Sequence, residues 1–130
     1  MNKYLWCSPH TPTEEQMKSL DGLLHLLENQ SPELQDRLSN MSYNDDLSDL
    51  AWDLISVAQK GNYILVQPGG SPAFQCMLGR SIAISNEVDG ENEAPEVIYS
   101  FSKRVSKDIP QEDGTIKKIS LFHHEGWVNV

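Results

Sequence analysis

Three short segments hold side chains whose types and spacing suit reaction or ligand chemistry. Ser8-Pro9-His10-Thr11-Pro12-Thr13 presents hydroxyls and an imidazole. Gln67-Pro68-Gly69-Gly70-Ser71 presents a carboxamide, two glycine amides and a hydroxyl, and Ser100-Phe101-Ser102-Lys103-Arg104 places hydroxyls beside two adjacent cations. Together they suit phosphate oxygens, because backbone N–H groups at a helix start and Lys or Arg side chains both favour negative charge. Each segment also has a plainer reading. Ser8 and Ser71 cap turns or helices, Pro68-Gly69-Gly70 is a turn, and Lys103-Arg104 is a solvated strand edge that guards against aggregation.

The histidines sort by position. His25 lies among leucines and is expected to pack in the core or an interface. His123 and His124 are adjacent, so in a strand they point to opposite faces and at most one serves a given site. With His10 that leaves two imidazoles poised, at an intrinsic pKa of about 6.5, for acid–base work. No helical two-histidine spacing or paired-cysteine spacing supports a metal site, so neither metal nor cofactor is expected. The sequence contains no Gly-x-Ser-x-Gly elbow, and its Pro-Gly-Gly run is neither a Walker loop nor a dinucleotide fingerprint.

The elements that must position these groups follow from the periodicity. Residues 3–7 read as a buried first strand, and the two prolines after it keep residues 8–12 in a loop. Thr13 and Gln16 match a capping box, opening a helix whose face continues through Met17, Leu20 and Leu24. The segment 23–27 is ambiguous between the last turn of that helix and a second strand; Gly22 favours the strand. Ser31-Pro32 starts a short helix. Leu47, Leu50, Ala51, Leu54, Ile55 and Ala58 mark the clearest helix, with Asn44 or Asp45 as its cap and Gly61 as its stop. Residues 63–66 form a continuous apolar strand. A short helix over 73–78, a fourth strand over 81–84 and a solvated acidic loop over 86–96 follow. Runs 97–109 and 115–122 then form a hairpin about a Pro-Gln-Glu-Asp-Gly turn. Strands alternating with helices before a hairpin indicate an α/β core with a mostly parallel sheet and a C-terminal β extension. Ligands of such sheets sit beyond the carboxyl ends of the strands, where all three segments fall.

Composition sets outer bounds. A chain of 130 residues makes one domain, 1–130. No apolar run approaches the roughly 20 residues that cross a bilayer, and the start has one charge and no long apolar region, unlike a signal peptide. Two cysteines form no framework, which suits a reduced, cytoplasmic setting. The net charge of −9 argues against long DNA or RNA as a partner. It leaves room for a small anion, since six of the ten basic residues lie between positions 80 and 118.

The combination resembles the small CRISPR-associated Csx-type ring nucleases of type III systems. The matching pieces are Leu5-Trp6-Cys7-Ser8-Pro9-His10-Thr11-Pro12-Thr13-Glu14-Glu15-Gln16, Gly61-Asn62-Tyr63-Ile64-Leu65-Val66-Gln67, Tyr99-Ser100-Phe101-Ser102-Lys103-Arg104-Val105-Ser106, Asp113-Gly114 and Leu121-Phe122-His123-His124. Their order and spacing agree over nearly the whole chain. The resemblance implies a Rossmann-like, CARF-like fold, a homodimer, and binding of cyclic oligoadenylate, chiefly cyclic tetra-adenylate. It further implies metal-independent linearisation by a ribose 2′-hydroxyl, leaving a 2′,3′-cyclic phosphate and switching off type III signalling.

By motif match, Ser8 and His10 would line the ring, with His10 in the catalytic set. Gln67, Gly69, Gly70 and Ser71 would cradle phosphate or an adenine edge. Lys103 would stabilise the phosphorane, Arg104 would be a structural or second phosphate contact, and Ser102 would orient the nucleophile. His124 would act as acid or base, and Trp127 would stack on adenine. The chain departs from the family pattern in the first loop, where Pro9 separates serine from histidine. It departs again at the Ser and Phe residues before Lys103, and at Glu125-Gly126-Trp127, where an arginine is usual. Fewer cations leave a second expectation, a non-catalytic sensor or sponge for the same ligand. A third is a protein-interaction module using the hairpin and the acidic surface.

Overall fold

The apolar run at the amino terminus and the run ending at Gln67 become neighbouring strands. The computed structural model describes residues 1–88 and 94–129. In it β1 (Asn2–Trp6) lies between β2 (Gly22–Leu26) and β3 (Ile64–Gln67), parallel to both. β4 (Val97–Pro110) runs parallel to β3, and β5 (Ile116–Asn129) returns antiparallel to β4. The order among the described residues is β2-β1-β3-β4-β5. The fold is α/β, as expected, with a mixed sheet flanked by helices.

The hairpin is not an appendage to that sheet. Val97, Ile98 and Tyr99 of β4 pair with Leu65, Val66 and Gln67, so β4 is a core strand and β5 an edge. Beyond Tyr99 β4 pairs only with β5, and the two continue as a ribbon past the carboxyl end of β3. At ~3.4 Å per residue, residues 100–110 carry it on the order of 35 Å further. A register shift at Phe101/Ser102, where Phe101 faces Gly126 and Ser102 faces His124, leaves Glu125 as the extra residue of a bulge. At the tip the Gln111 N–H donates to the Thr115 carbonyl at 2.8 Å, and Gly114 takes φ 85° as that turn demands.

The helices are α1 (Glu14–Lys18), α2 (Leu27–Gln30), α3 (Pro32–Ser39), α4 (Leu47–Gly61) and α5 (Pro72–Val88). Leu50, Ala51, Leu54, Ile55 and Ala58 of α4 are buried at the spacing read from the sequence. They pack with Leu34, Phe74 and Leu78 on the sheet face of Leu5, Leu65 and Val97. Full burial of a residue such as Leu54 or Ile55 contributes about 1.5–3 kcal/mol, so this face dominates the stability. The opposite face holds Tyr4, Trp6 and Val66 under Leu20, Leu24, Ile98 and Trp127.

Several expectations are corrected. The segment 81–84 is not a strand: 72–88 is one helix, with Phe74, Leu78, Ser81 and Ser85 buried at helical spacing. The helix opened by Thr13 ends at Lys18, so Leu24 belongs to β2 and Met17 is exposed. Asp46, not Asn44 or Asp45, caps α4 by accepting from the Asp49 N–H, and its end is closed by Asn62 at φ 55°. α2 was not anticipated. Of the acidic loop read over 86–96, residues 86–88 are helical, 94–96 carry no regular structure, and the rest lie outside the described residues. Among the described residues no helix is long and apolar enough to cross a membrane.

Candidate functional site

β1 leads through α1 to β2 on one side, while β3 lies on its other side, so the exits of β1 and β3 diverge. Such a reversal leaves a crevice at the carboxyl edge of the sheet. A cleft of about 870 Å³ occupies this place. It is lined by Ser8, His10, Gln67, Gly69, Gly70 and Ser71, all the candidates of the first two segments. The first loop is pinned by the Trp6 indole N–H, which donates to the His10 carbonyl at 2.8 Å, and by the His10 N–H, which donates to Ser8 Oγ at 3.2 Å.

The second loop delivers the start of α5 to the cleft. Ser71 Oγ accepts from the Phe74 N–H at 3.4 Å and its carbonyl from the Gln75 N–H at 3.0 Å, so Ser71 both caps the helix and lines the cleft. Gly70 sits at φ 123°, where an L side chain would be strained, and a Cβ at Gly69 or Gly70 would meet nothing within 4 Å, so the loop presents open space to the cleft. A helix start carries about half a positive charge from its aligned peptide dipoles. It supplies polarity to a lining that otherwise contains no Lys, Arg, Asp or Glu among the described residues.

The candidates of the third segment lie on the ribbon instead. Ser100, Ser102 and His124 form one hydrogen-bonded group: His124 Nδ1 is 2.8 Å from Ser100 Oγ, which is 3.3 Å from Ser102 Oγ. The other imidazole nitrogen, Nε2, lies 3.2 Å from Ser19 Oγ. Ser19 gives its one hydroxyl proton to the Gln16 carbonyl at 2.8 Å and accepts the Trp127 indole N–H at 2.7 Å. Proton counting therefore assigns the imidazole: Nε2–H donates to Ser19, and the Nδ1 lone pair accepts from Ser100. Desolvation holds the pKa of His124 below 6.5; Glu15 opposes this and His123 adds to it. His124 is thus a neutral base paired to a serine hydroxyl.

Trp127 packs against this group, its ring 4.8 Å from His124 and tilted by 56°, and meets Trp6 edge-on at 6.1 Å. Trp6 also lines the cleft, so the array and the cleft adjoin across one side chain. Lys103 and Arg104 stand beyond them, exposed on the ribbon and outside the cleft lining, and Trp127 is not part of that lining either. His123 Nδ1 lies 3.9 Å from Glu15, the carboxylate that also acts on His124. His25 packs at 5.2 Å against Tyr63. Buried Cys7 has its thiol pushed up to about 12 by desolvation, which makes it a packing residue. Among the described residues no group of three or more His, Cys, Asp and Glu side chains could hold a metal ion.

Sequence reasoning missed Ser19 and Gln35, and it placed Ser100 in the third segment without giving it a role of its own. Strand alternation would have flagged Ser100 as sharing a face with Ser102; nothing local marks Ser19, which meets His124 only through the fold. Gln35 lines the cleft from α3, which the sequence marks only as a short helix opened by Ser31-Pro32.

The model of the family described as "Uncharacterized protein MJ1673 family" matches residues 2–128, and the chain belongs to that family. No curated protein and no solved structure matches it.

Proposed function

We propose that this member of the MJ1673 family is a ring nuclease that binds and linearises a cyclic oligoadenylate, most simply cyclic tetra-adenylate. In this reading the sheet is a Rossmann-like, CARF-type ligand-binding fold working as a cytoplasmic homodimer, and cleavage ends type III CRISPR signalling. The observation that carries it is the adjacency of the cleft and the serine–imidazole array at Trp6. A ligand of several linked nucleotides can reach from one to the other.

The chemistry follows from the residues. The α5 start and the Gly69 and Gly70 amides take one phosphate, with Ser8, His10, Gln67 and Ser71 around it. At another phosphate a ribose 2′-hydroxyl gives up its proton toward neutral His124, directly or through Ser100, while Ser102 orients it. A 2′-O–P bond forms, the P–O5′ bond breaks, and the leaving oxygen takes up a proton. The products are a 2′,3′-cyclic phosphate and a free 5′-hydroxyl. Arg104, on the same face of β4 as Ser102, stabilises the added charge of the phosphorane, and Lys103, on the opposite face, adds positive charge at longer range. A two-fold dimer doubles the cations around a two-fold ring.

The neutral cleft lining favours a second reading, a sensor or sponge that binds the ring without cutting it. The test is incubation of labelled cyclic tetra-adenylate with the protein and with its Lys103→Ala and His124→Ala variants, following binding and cleavage separately. Cleavage lost in both variants with binding retained supports the nuclease. A ring that is bound but never cut supports the sponge. No binding to any cyclic oligoadenylate overturns both.

A further inference from the structure

Two buried carboxamides in the cleft have hydrogen-bonding capacity that the protein leaves unused. Gln35 is 5% exposed and Gln67 3% exposed, and both line the cleft. Gln35 Oε1 and Gln67 Nε2 have no hydrogen-bond partner. Burying such a group without a partner costs about 1–3 kcal/mol, so a ligand that supplies the partners gains at these two points.

The orientation of Gln35 is locked. Ser39 donates its hydroxyl proton to the Gln35 backbone carbonyl at 2.9 Å, which leaves Ser39 Oγ able only to accept. Gln35 Nε2 donates to it at 3.0 Å. An inverted amide would set two acceptors against each other, so Gln35 Oε1 is a fixed acceptor and the ligand must bring a donor. In the orientation shown Gln67 Nε2 asks the ligand for an acceptor, and the selectivity rests on Gln35. Tyr43, 96% exposed at the cleft rim, offers an aromatic face.

We propose that Gln35 and Gln67 form a nucleobase subsite that takes an exocyclic amino group beside a ring nitrogen, the edge presented by adenine and cytosine. The amino group donates to Gln35 Oε1 and the ring nitrogen accepts from Gln67 Nε2, as carboxamides read adenine elsewhere. Tyr43 stacks on the base. In the same pose the oxo bases hypoxanthine and uracil place an acceptor against Gln35 Oε1, and they offer it their ring N–H only when shifted or turned over. Adenine as the natural occupant rests on the ring-nuclease reading; the donor–acceptor pattern does not.

The full chain is titrated with AMP, CMP, IMP and UMP by calorimetry. AMP or CMP is expected to bind roughly ten- to hundredfold tighter than its deaminated counterpart. In Gln35→Met, similar in size but without the amide, the preference disappears. Ser39→Ala, a milder change, frees the amide to rotate and brings the amino and oxo bases together. Equal binding of amino and oxo bases, no binding of any, or a preference that survives both variants overturns the subsite. An amino-base preference in a protein that ignores the ring keeps the subsite and removes the nuclease reading. Ring cleavage unchanged in Gln35→Met with no base preference does the reverse.

Discussion

Replacing Ser19 by alanine tests the proton assignment around His124. The hydroxyl takes part in three hydrogen bonds, to the Gln16 carbonyl, from the Trp127 indole and with His124 Nε2. Net contributions run about 0.5–1.5 kcal/mol per bond, and because Ser19 is exposed its former partners regain water, which points to the lower end. The expected loss is about 1.5 kcal/mol, small enough to leave the protein folded. The specific consequence is electronic. Without Ser19 the Nε2–H loses its acceptor, the tautomers mix, and a better hydrated imidazole moves its pKa up toward 6.5. Urea denaturation followed by tryptophan fluorescence gives the stability, and long-range nitrogen–proton NMR of the imidazole gives the tautomer and the titration. An Nδ1–H tautomer in the unsubstituted protein would refute the assignment. So would a Ser19→Ala protein whose His124 keeps both its tautomer and its pKa.

Leu54→Ala empties a fully buried position between α4 and the sheet and is expected to cost about 2–5 kcal/mol, read from the urea midpoint. Thiol reagents at pH 8 should modify exposed Cys76 and spare Cys7, with the second thiol appearing only in denaturant. The lowered pKa of His124 means that the unfolded chain takes its proton first as pH falls through about 6.5. Its contribution is therefore complete above that value and shrinks between it and the folded pKa. A His124→Gln protein should show a shallower loss of stability between pH 7 and pH 5.5 in paired urea titrations.

How far the structure could be read from the sequence depended on whether the deciding interaction was local. α4 was legible because its buried positions repeat at helical spacing, and α1 because Thr13 and Gln16 cap it reciprocally. The first two loops line the cleft because a strand followed by a Pro- or Gly-rich turn has few ways to leave a sheet. Ser81-Ile82-Ala83-Ile84 misled because four residues cannot separate a buried strand from a helix turn; only the longer spacing from Phe74 to Ser85 does. The ribbon was seen as a hairpin, but its pairing with β3 depends on Leu65 and Val66 meeting Val97 and Ile98 across more than thirty residues. The Ser19–His124 contact joins positions 105 apart, and no sequence pattern carries it.

Incubation of labelled cyclic tetra-adenylate with the protein in EDTA, with the products resolved by mass, tests the central claim most directly. The account predicts a linear tetra-adenylate with a 5′-hydroxyl and a 2′,3′-cyclic phosphate, formed without divalent metal. A ring recovered intact after prolonged incubation, or cleavage that appears only when metal is restored, would contradict it.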